Sequence, residues 1–268
     1  MRQPGARRRL GQHFLVDASA IHRIVEAAHI EPGDLVVEIG PGRGALTRAL
    51  LERASQVVGI ELDASLCERL TRSLGAQRKL SILNSDVLQV DLAALVRARQ
   101  FERAVLVGNL PYSITGAAVQ QILDARAVFS RAILMVQREV AQRIVAPPGG
   151  KAYGILSVAV QIRTLPKRLF DVSPEYFEPP PKVHSSVVRL DFSSAPPVII
   201  QDERLFFQVV RTVFRQRRKM IKNTMLDLPG YRKEQLIEAF SRAEIDLRLR
   251  PESISAAEYE RICRALQP

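Results

Sequence analysis

The chain has 268 residues, 47% of them hydrophobic, which is enough for one large α/β domain and a small second domain. Its 39 Lys and Arg outnumber 28 Asp and Glu, and the net charge of +11 favours a polyanionic partner such as nucleic acid. No apolar run reaches the ~18 residues of a membrane span, and the basic N-terminus lacks the apolar region of a signal peptide, so we expect a cytoplasmic protein. Cys67 and Cys263 match no metal-ligand spacing, so we expect reduced thiols and no metal site.

Short apolar runs alternate with helical patterns from about Leu35 onward. The predicted strands are Leu35–Ile39, Val57–Glu61, Leu80–Leu83, Ala104–Val107 and Ala132–Val136. Helices are predicted between them, at Gly44–Arg53 and Ala64–Leu74. The strands show little alternation of polar and apolar residues, as strands buried on both faces of a parallel sheet do. This order predicts an α/β fold with a doubly wound sheet.

The second half of the chain changes from a mixture of strand and helix patterns to helix patterns alone after segment 193–197. A helix around Ile155–Ile162 and two closing strands, Lys167–Val172 and Val187–Phe192, are predicted first. The small and Pro-rich segment 193–197 then marks a domain boundary, so that the predicted domains are 1–194 and 195–268. The second domain is predicted to be helical. Its patterns cover Leu205–Leu226, Tyr231–Ala243 and a last helix to Leu266 that begins at a capping box, Ser255 with Glu258.

A glycine-rich turn follows the first predicted strand. Gly40, Gly42 and Gly44 are spaced two and two, which does not fit the dinucleotide-binding fingerprint. Glu38 would repel a pyrophosphate and would tolerate a ligand that carries an ammonium and a sulfonium group. Glu61, about 20 residues further on at the end of the second strand, is placed to bind the hydroxyls of a ribose. Together these features indicate S-adenosylmethionine as the cofactor, with S-adenosylhomocysteine as its product.

Two further polar residues follow predicted strands. Asp86 comes after the third strand, where it either accepts a bond from the adenine amine of the cofactor or caps the next helix. Asn109 comes after the fourth strand, at the edge of the sheet where ligands bind.

The segment Asn-Leu-Pro-Tyr, at 109–112, fits chemistry on an exocyclic adenine amine. Such an amine becomes nucleophilic when acceptors take its two N–H bonds. The side-chain oxygen of Asn109 can accept one bond, and the carbonyl of Leu110, held outward by the fixed φ of Pro111, can accept the other. The ring of Tyr112 offers a face on which the base can stack. The alternative interpretation is a β-turn with an incidental tyrosine.

These motifs together resemble the ribosomal RNA adenine N6,N6-dimethyltransferases of the KsgA type. The shared motifs are Gly-Gln-His-Phe-Leu at 11–15, Glu-x-Gly-x-Gly-x-Gly at 38–44, Asn-Leu-Pro-Tyr at 109–112, Phe-Glu-Pro-Pro-Pro-Lys-Val at 177–183 and Phe-Arg-Gln-Arg-Arg-Lys at 214–219. The resemblance implies a Rossmann-like class I methyltransferase domain followed by a small helical domain. It also implies dimethylation of two adjacent adenines in the 3′-terminal hairpin loop of 16S rRNA, within the small subunit or its precursor, by a monomer that also serves small-subunit biogenesis.

The resemblance assigns residues to the cofactor and to the target base. The N-terminal segment 1–30 is expected to cover the cofactor, and Phe177 to form a second ring opposite Tyr112 unless it is a packed loop aromatic. Position 13 is His where many relatives have Asn, and its role is the least constrained. The expected cofactor contacts are His13, Leu15, Gly40, Glu61, Asp86 and Asn109.

The basic residues of the second domain predict an RNA-binding surface. Nine basic residues and one acid, Asp227, lie between Arg204 and Lys233. A continuous helix would place Arg211 with Arg215, and Arg218 with Lys222, on shared faces. Phosphate contacts are predicted for Arg215, Arg217, Arg218 and Lys219, with Arg7–Arg9 as the alternative surface.

Three other functions remain as alternatives. A large-subunit rRNA adenine methyltransferase of the macrolide-resistance type shares the glycine turn and a similar Asn-x-Pro-Tyr, and it is disfavoured by the basic run of the second domain. A DNA adenine methyltransferase usually has Pro-Pro after the first residue of this motif. A noncatalytic ribosome assembly factor is disfavoured by the intact Glu61, Asp86 and Asn109.

Overall fold

A computed structural model describes residues 12–75, 78–193, 195 and 198–267 of the chain. The start of the predicted cofactor-covering segment, including Arg7–Arg9, lies outside these residues. Within them, no helix combines the length and the apolar character that a membrane crossing needs.

Seven of the nine strands in the described residues lie where the apolar runs predict them, with shifts of up to three residues at their ends, and the two-residue strands Phe14–Leu15 and Phe177–Glu178 have no apolar run that predicts them. In chain order they are β1 (Phe14–Leu15), β2 (Leu35–Ile39), β3 (Gln56–Glu61), β4 (Leu80–Asn84), β5 (Ala104–Asn109), β6 (Phe129–Gln137), β7 (Leu165–Val172), β8 (Phe177–Glu178) and β9 (Ser185–Asp191).

The helices fill the intervals between the strands and make up most of the C-terminal region. They are α1 (Ala18–Ala28), α2 (Ala45–Leu51), α3 (Ala64–Leu74), α4 (Leu92–Arg97), α5 (Thr115–Asp124), α6 (Arg138–Val145), α7 (Ile155–Gln161), α8 (Glu203–Phe214), α9 (Lys233–Arg242) and α10 (Ala256–Leu266). The capping box at Ser255 and Glu258 begins α10 as predicted.

Seven strands form one sheet in the order β4-β3-β2-β5-β6-β9-β7. The five strands from β4 to β6 are parallel, and β9 pairs antiparallel with β6. All five residues of β2 are buried, because both faces of this central strand are covered. The predicted Rossmann-like α/β fold is therefore confirmed.

The chain reverses its direction of travel across the sheet between β2 and β5. From β2 it proceeds through β3 to β4 at one edge, and from β5 it proceeds to β6 on the other side. The carboxyl ends of β2 and β5 therefore diverge into different connections, which opens a crevice for a ligand. Gly40 follows β2, and Asn109 ends β5.

The predicted long helix from Leu205 to Leu226 is wrong in its second half, because α8 ends at Phe214. Turns and two short 3-10 helices, Ile221–Asn223 and Met225–Asp227, follow it. The cause lies in the basic run itself, since like charges four residues apart destabilise a helix. The shared helical face inferred for Arg218 with Lys222 therefore does not exist, whereas Arg215 is the C-cap of α8 with helical dihedral angles and still follows Arg211 by one turn.

The chain divides into two compact units. The first contains residues 1–141 and 167–193, and the second contains residues 142–166 and 194–268. The predicted boundary after residue 194 lies within one residue of this division, but the segment 142–166 belongs to the second unit. The reason is apolar packing, since Tyr153, Val158 and Ile162 join the same buried cluster as Phe206. Sequence periodicity shows that a helix is amphipathic and does not show which core receives it.

Candidate active site

The glycine turn between β2 and α2 has a backbone that only glycine adopts readily. Gly40, Gly42 and Gly44 have φ values of 71°, 57° and 81°. A Cβ at Gly40 would come within 3.3 Å of the carbonyl oxygen of Asn109, and one at Gly42 within 2.9 Å of the Phe14 ring. The turn is therefore packed closely between the end of β5 and the strand β1.

A cavity of about 350 Å³ opens at the carboxyl ends of the parallel strands. Every residue predicted to contact the cofactor or the target base lines it. These residues are His13, Leu15, Gly40, Glu61, Asp86, Asn109, Leu110, Pro111, Tyr112 and Phe177. The structure thus brings together side chains that are up to 164 positions apart in the chain, from His13 to Phe177.

Glu38 gives this cavity a buried acidic group. The residue is 1% exposed, and its Oε2 has no hydrogen-bond partner among the described residues. Burial raises the pKa of Glu38 to about 8, and the negative charge of Glu61 adds to the shift. A cationic ligand in the cavity would compensate this carboxylate, as the sequence argument about a sulfonium and an ammonium group requires.

The carboxylate of Glu61 holds the glycine turn against the end of β3. Its Oε2 accepts from the backbone N–H of Gly42 at 3.0 Å, and its Oε1 accepts from the N–H of Asp63 at 3.0 Å. Each carboxylate oxygen can accept a second bond, so a ribose hydroxyl can still bind there. Glu61 thus has an observed structural role, and its ribose contact stays a prediction.

Asp86 caps the helix that follows it, which is one of the two roles that the sequence allows for this residue. Its Oδ1 accepts from the N–H of Leu88 at 2.9 Å and caps a 3-10 helix that begins at Val87. Because Asp86 also lines the cavity, the same carboxyl group can face an adenine amine. The two interpretations are compatible in this geometry, and the adenine contact stays a prediction.

The amide of Asn109 is oriented by the N-terminal segment. Its Nδ2 donates to the carbonyl oxygen of His13 at 3.2 Å, which leaves Oδ1 as the free acceptor of the side chain. No described residue donates to this Oδ1. An amide held in this way has its oxygen and its second N–H left for a ligand, and the oxygen can serve as an acceptor.

The rest of the Asn-Leu-Pro-Tyr segment is fixed by backbone and side-chain bonds. The N–H of Leu110 donates to the carbonyl of Met135 at 3.0 Å, and the Pro111 carbonyl accepts from Ile114 N–H at 3.1 Å. The Tyr112 hydroxyl lies 3.1 Å from Ser185 Oγ, which ties the ring to β9. The segment does form a turn, and it also carries an ordered aromatic face into the cavity.

The N-terminal segment and the segment after β7 pair across the cavity. β1 and β8 form a two-stranded antiparallel sheet in which Leu15 pairs with Phe177. His13 Nδ1 lies 2.7 Å from the carbonyl oxygen of Pro179. Phe177 is 4% exposed and sits in this strand rather than in a loop. It lines the cavity together with Tyr112, and its contact with a target base stays a prediction.

Sequence reasoning missed several residues that organise this site. Arg43 forms an ion pair with Glu178, and its guanidinium lies 4.4 Å from the centre of the Phe14 ring. Ser185, which holds Tyr112, is 73 positions away from it. Motif spacing gives no signal for contacts of this kind. Leu62, which also lines the cavity, directly follows Glu61 and could have been included on that basis.

The four residues of the second unit that are predicted to bind RNA differ in their exposure and in their bonds to the rest of the unit. Arg215, Arg218 and Lys219 are exposed, as a phosphate-binding role requires. Arg217 instead donates from Nη2 to the carbonyl oxygens of Lys151 and Tyr153, at 2.9 and 2.8 Å. Arg217 therefore holds a loop of its own unit.

The cavity fits S-adenosylmethionine by the chemistry of its lining. An uncompensated buried carboxylate at Glu38 suits a cation, the close approach of the glycine turn leaves no side chain in the way, and Glu61 and Asp86 supply acceptors. Among the described residues, no cluster of three or more His, Cys, Asp or Glu could bind a metal ion.

Comparison with known proteins places this geometry in a family. Residues 4–267 match the family model described as ribosomal RNA adenine dimethylase. A relative from Moorella thermoacetica, named ribosomal RNA small subunit methyltransferase A, is 42% identical over 97% of this chain and 92% of its own. A relative of the same name from Pseudomonas aeruginosa is 40% identical over 98% of this chain and 96% of its own.

Solved structures with similar folds agree with the architecture. The 23S rRNA methyltransferase ErmE superposes with a TM-score of 0.73 at 26% identity, over 94% of this chain and 99% of its own. A dimethyladenosine transferase from Plasmodium falciparum gives a TM-score of 0.78 at 22% identity, over 93% of this chain and 96% of its own. The second likeness is evidence for the fold alone.

Proposed function

Because the chain belongs to the ribosomal RNA adenine dimethylase family, we propose that it dimethylates N6 of two adjacent adenines in the 3′-terminal hairpin loop of 16S rRNA. Family membership confirms the predicted adenine dimethyltransferase activity and the S-adenosylmethionine cofactor. The choice of the small subunit is supported by the names of relatives that are 40% and 42% identical over nearly the whole chain.

One observation carries the catalytic proposal, namely the orientation of the Asn109 amide. One N–H of its Nδ2 is engaged by the His13 carbonyl, which fixes the amide and leaves its oxygen as an acceptor for the target amine. A target N6 amine that donates one N–H to this oxygen and the other to the Leu110 carbonyl loses conjugation with the adenine ring. The nitrogen lone pair is then available for attack on a methyl carbon.

The chain positions the reactants and contributes no covalent step of its own. Gly40, Glu61 and Asp86 would hold S-adenosylmethionine, and the bound cofactor would supply an electrophilic methyl group. Tyr112, fixed through Ser185, stacks with the target base and sets the direction of approach. As the N–C bond forms, the bond between sulfur and the methyl group would break and the cofactor would leave as the neutral thioether S-adenosylhomocysteine. The amine nitrogen becomes cationic and loses one proton to water, while the oxygens of Asn109 and Leu110 hold its N–H bonds in the direction required for transfer.

RNA binding by the second unit is also part of the proposal. Arg215, Arg218 and Lys219 are exposed cations within a stretch that has one acid, and they suit phosphate contacts. Monomeric state, cytoplasmic location and a role in subunit biogenesis stay predictions from the sequence.

Methyl transfer to small ribosomal particles that lack the modification tests the proposal. We expect radiolabelled methyl to appear as N6,N6-dimethyladenine on nucleoside mass spectrometry. We expect Asn109→Ala to lower the rate of methyl transfer at least about 100-fold, as the loss of one positioned polar group does in other enzymes. Cofactor binding by calorimetry should survive in this variant.

Large-subunit particles and undermethylated DNA are the matched alternative substrates. Transfer to large-subunit RNA in preference to small-subunit RNA would support the macrolide-resistance type. The structural likeness to ErmE, a 23S rRNA methyltransferase, is the observation that keeps this alternative in the test. Cofactor binding without transfer to any substrate would identify a noncatalytic assembly factor. An Asn109→Ala variant that dimethylates at the wild-type rate would show that the segment is only a turn.

A further inference from the structure

Charged side chains are distributed unevenly along the carboxyl edge of the sheet. Glu38 in β2, Glu61 at the end of β3 and Asp86 after β4 lie on one side of Asn109. On the other side of Asn109 lie β6, β9 and β7, and two cations stand there, Arg138 directly after β6 and Arg168 in β7. The acidic half of the edge suits a cationic cofactor, and the basic half suits an anionic ligand.

Arg138 and Arg168 share one carboxylate. Arg138 Nε lies 3.7 Å from Asp171 Oδ2, and Arg168 Nη1 lies 3.7 Å from Asp171 Oδ1. These separations are too long for hydrogen bonds, so Asp171 attracts the two guanidinium groups without satisfying their N–H donors. Two cations and one anion give the cluster a net charge of +1.

Asp171 is held in place from the core of the unit. Ser186, which is fully buried in β9, donates from Oγ to Asp171 Oδ1 at 2.6 Å. A fixed anion between two long side chains keeps both guanidinium groups at one location and prevents them from moving apart through mutual repulsion. The side chains of Arg138 and Arg168 are still 50% and 40% exposed.

The cluster is next to the residues that face the target base. In the register of the sheet, Asn109 pairs with Met135, and Gln137 pairs with Ser185. The N–H of Arg138 donates to the His184 carbonyl at 3.0 Å, and Ser185 contacts the Tyr112 hydroxyl. Arg138 therefore lies one residue beyond the strand position that anchors the stacking ring.

We propose that Arg138 and Arg168 bind a phosphodiester of the RNA strand beside the target adenosine, with Asp171 as the residue that positions them. This inference rests on the proposed function, since a base placed on Tyr112 must bring its own sugar-phosphate backbone to the basic half of the edge. Guanidinium groups bind phosphate oxygens in a bidentate manner, and this pair is a different set of residues from the phosphate contacts predicted in the second unit.

The test uses the full-length protein and small ribosomal particles that lack the modification. The variants are Arg138→Gln, Arg168→Gln and the double variant, with Arg53→Gln as the matched control. Arg53 also forms an exposed ion pair, with Glu26 at 2.8 Å, and lines no part of the cavity. Particle binding is measured by filter binding across a series of salt concentrations, and the KM for particles, kcat and S-adenosylmethionine affinity are measured separately.

We expect the double variant to raise the KM for particles about tenfold, while kcat and cofactor affinity change less than twofold. The slope of log affinity against log salt should become shallower by about 0.7 for each lost phosphate contact on a single strand. Arg53→Gln should leave the slope unchanged. An unaltered slope and KM in the double variant would overturn the proposal, and so would an equal loss of cofactor affinity.

Asp171→Asn separates ligand binding from a purely structural ion cluster. The amide oxygen still accepts the Ser186 bond, but the charge that holds the two guanidinium groups at one location is lost. We therefore expect the KM for particles to rise, while the salt slope stays at least as steep as in the wild type because both cations remain; an unchanged KM would show that Asp171 does not position them. A lower melting temperature with an unchanged slope in the double variant would identify a structural cluster instead. Failure of the proposed function is distinct, because the wild type itself would then transfer no methyl to the particles.

Discussion

At the scale of single residues, Glu38 makes the stability of the chain depend on pH. Burial raises its pKa in the folded state to about 8, from a usual value of 4.5. Between these two values the folded chain holds a proton that the unfolded chain has lost. The free energy of unfolding therefore falls as pH rises across this window, by at most about 1.4 kcal/mol per pH unit for this one group.

Glu38→Gln should remove this contribution, because an amide resembles the protonated acid and does not titrate. We expect the variant to gain stability relative to the wild type as pH rises from 5 to 8, with no further gain above that range. Urea unfolding of both proteins at pH 5, 6.5, 8 and 9 measures the difference. Two parallel stability curves would show that Glu38 is not the titrating group.

Asn109→Asp is expected to separate the two methylation steps. The substitution replaces the Nδ2 donor that faces the His13 carbonyl with a second acceptor, so the N-terminal segment loses a bond. A carboxylate also accepts hydrogen bonds about twice as strongly as a neutral amide, so it should hold the remaining N–H of the monomethylated amine and resist the second transfer.

We therefore expect Asn109→Asp to accumulate N6-monomethyladenine at the expense of the dimethylated base. Mass spectrometry of digested rRNA over a time course gives the ratio. Gln56→Glu is a suitable control, since Gln56 is an exposed amide at the opposite end of β3 and is not among the residues that line the cavity. A constant ratio of the two products in both variants would contradict the role given to the Asn109 amide.

At the scale of elements, β1 and the glycine turn depend on each other. The Phe14 ring covers Gly42 so closely that a Cβ would lie 2.9 Å from it, and Gly42 has a positive φ of 57°. Gly42→Ala must therefore displace either the Phe14 ring of β1 or the turn itself, which carries the N–H that Glu61 accepts.

We expect Gly42→Ala to weaken S-adenosylmethionine binding by about tenfold or more, as strain of 1–3 kcal/mol at a left-handed position implies. Gly116→Ala in α5 is the matched control, because a Cβ there meets nothing within 4 Å and helix propensity favours alanine. Calorimetric titration with the cofactor compares them. Equal affinities in the two variants would show that β1 does not constrain the turn.

The elements also show where sequence reasoning succeeds and where it stops. β2 and α3 have the predicted bounds, because a buried strand and an amphipathic helix each carry a local pattern. The pairing of β1 with β8 joins two-residue strands that no periodicity can reveal. α8 ends early because repulsion within the basic run outweighs the apolar pattern that continues through Ile221 and Met225.

The site itself divides in the same way. Each residue of the glycine turn and of the Asn-Leu-Pro-Tyr segment could be identified from the sequence, because its chemistry depends on neighbours in the chain. The bonds that orient these residues, from His13 to Asn109 and from Ser185 to Tyr112, join distant positions. They exist only because the sheet order places their strands side by side.

At the scale of the whole molecule, the net charge of +11 poses the question of whether RNA binding depends on particular residues or on the sum of charges. A general attraction would weaken equally whenever three cations are lost. Local phosphate contacts would weaken only when the contacting residues are lost, and the salt dependence would change with them. Arg217 is excluded from such a test because its bonds to the Lys151 and Tyr153 carbonyls stabilise the second unit.

The deciding comparison replaces Arg215, Arg218 and Lys219 together with serine. The matched control replaces Arg69, Arg72 and Arg78, which are equally exposed and lie in or just after α3 of the first unit, so both variants lose three positive charges. We expect the first variant alone to bind small ribosomal particles less tightly, with a salt slope shallower by about 2.7 if three phosphates are contacted in a helical region of the RNA. Both variants should unfold at the wild-type temperature, because exposed charges contribute little to stability. Equal losses in the two variants would assign the attraction to net charge, and the predicted surface of the second unit would then have no specific role.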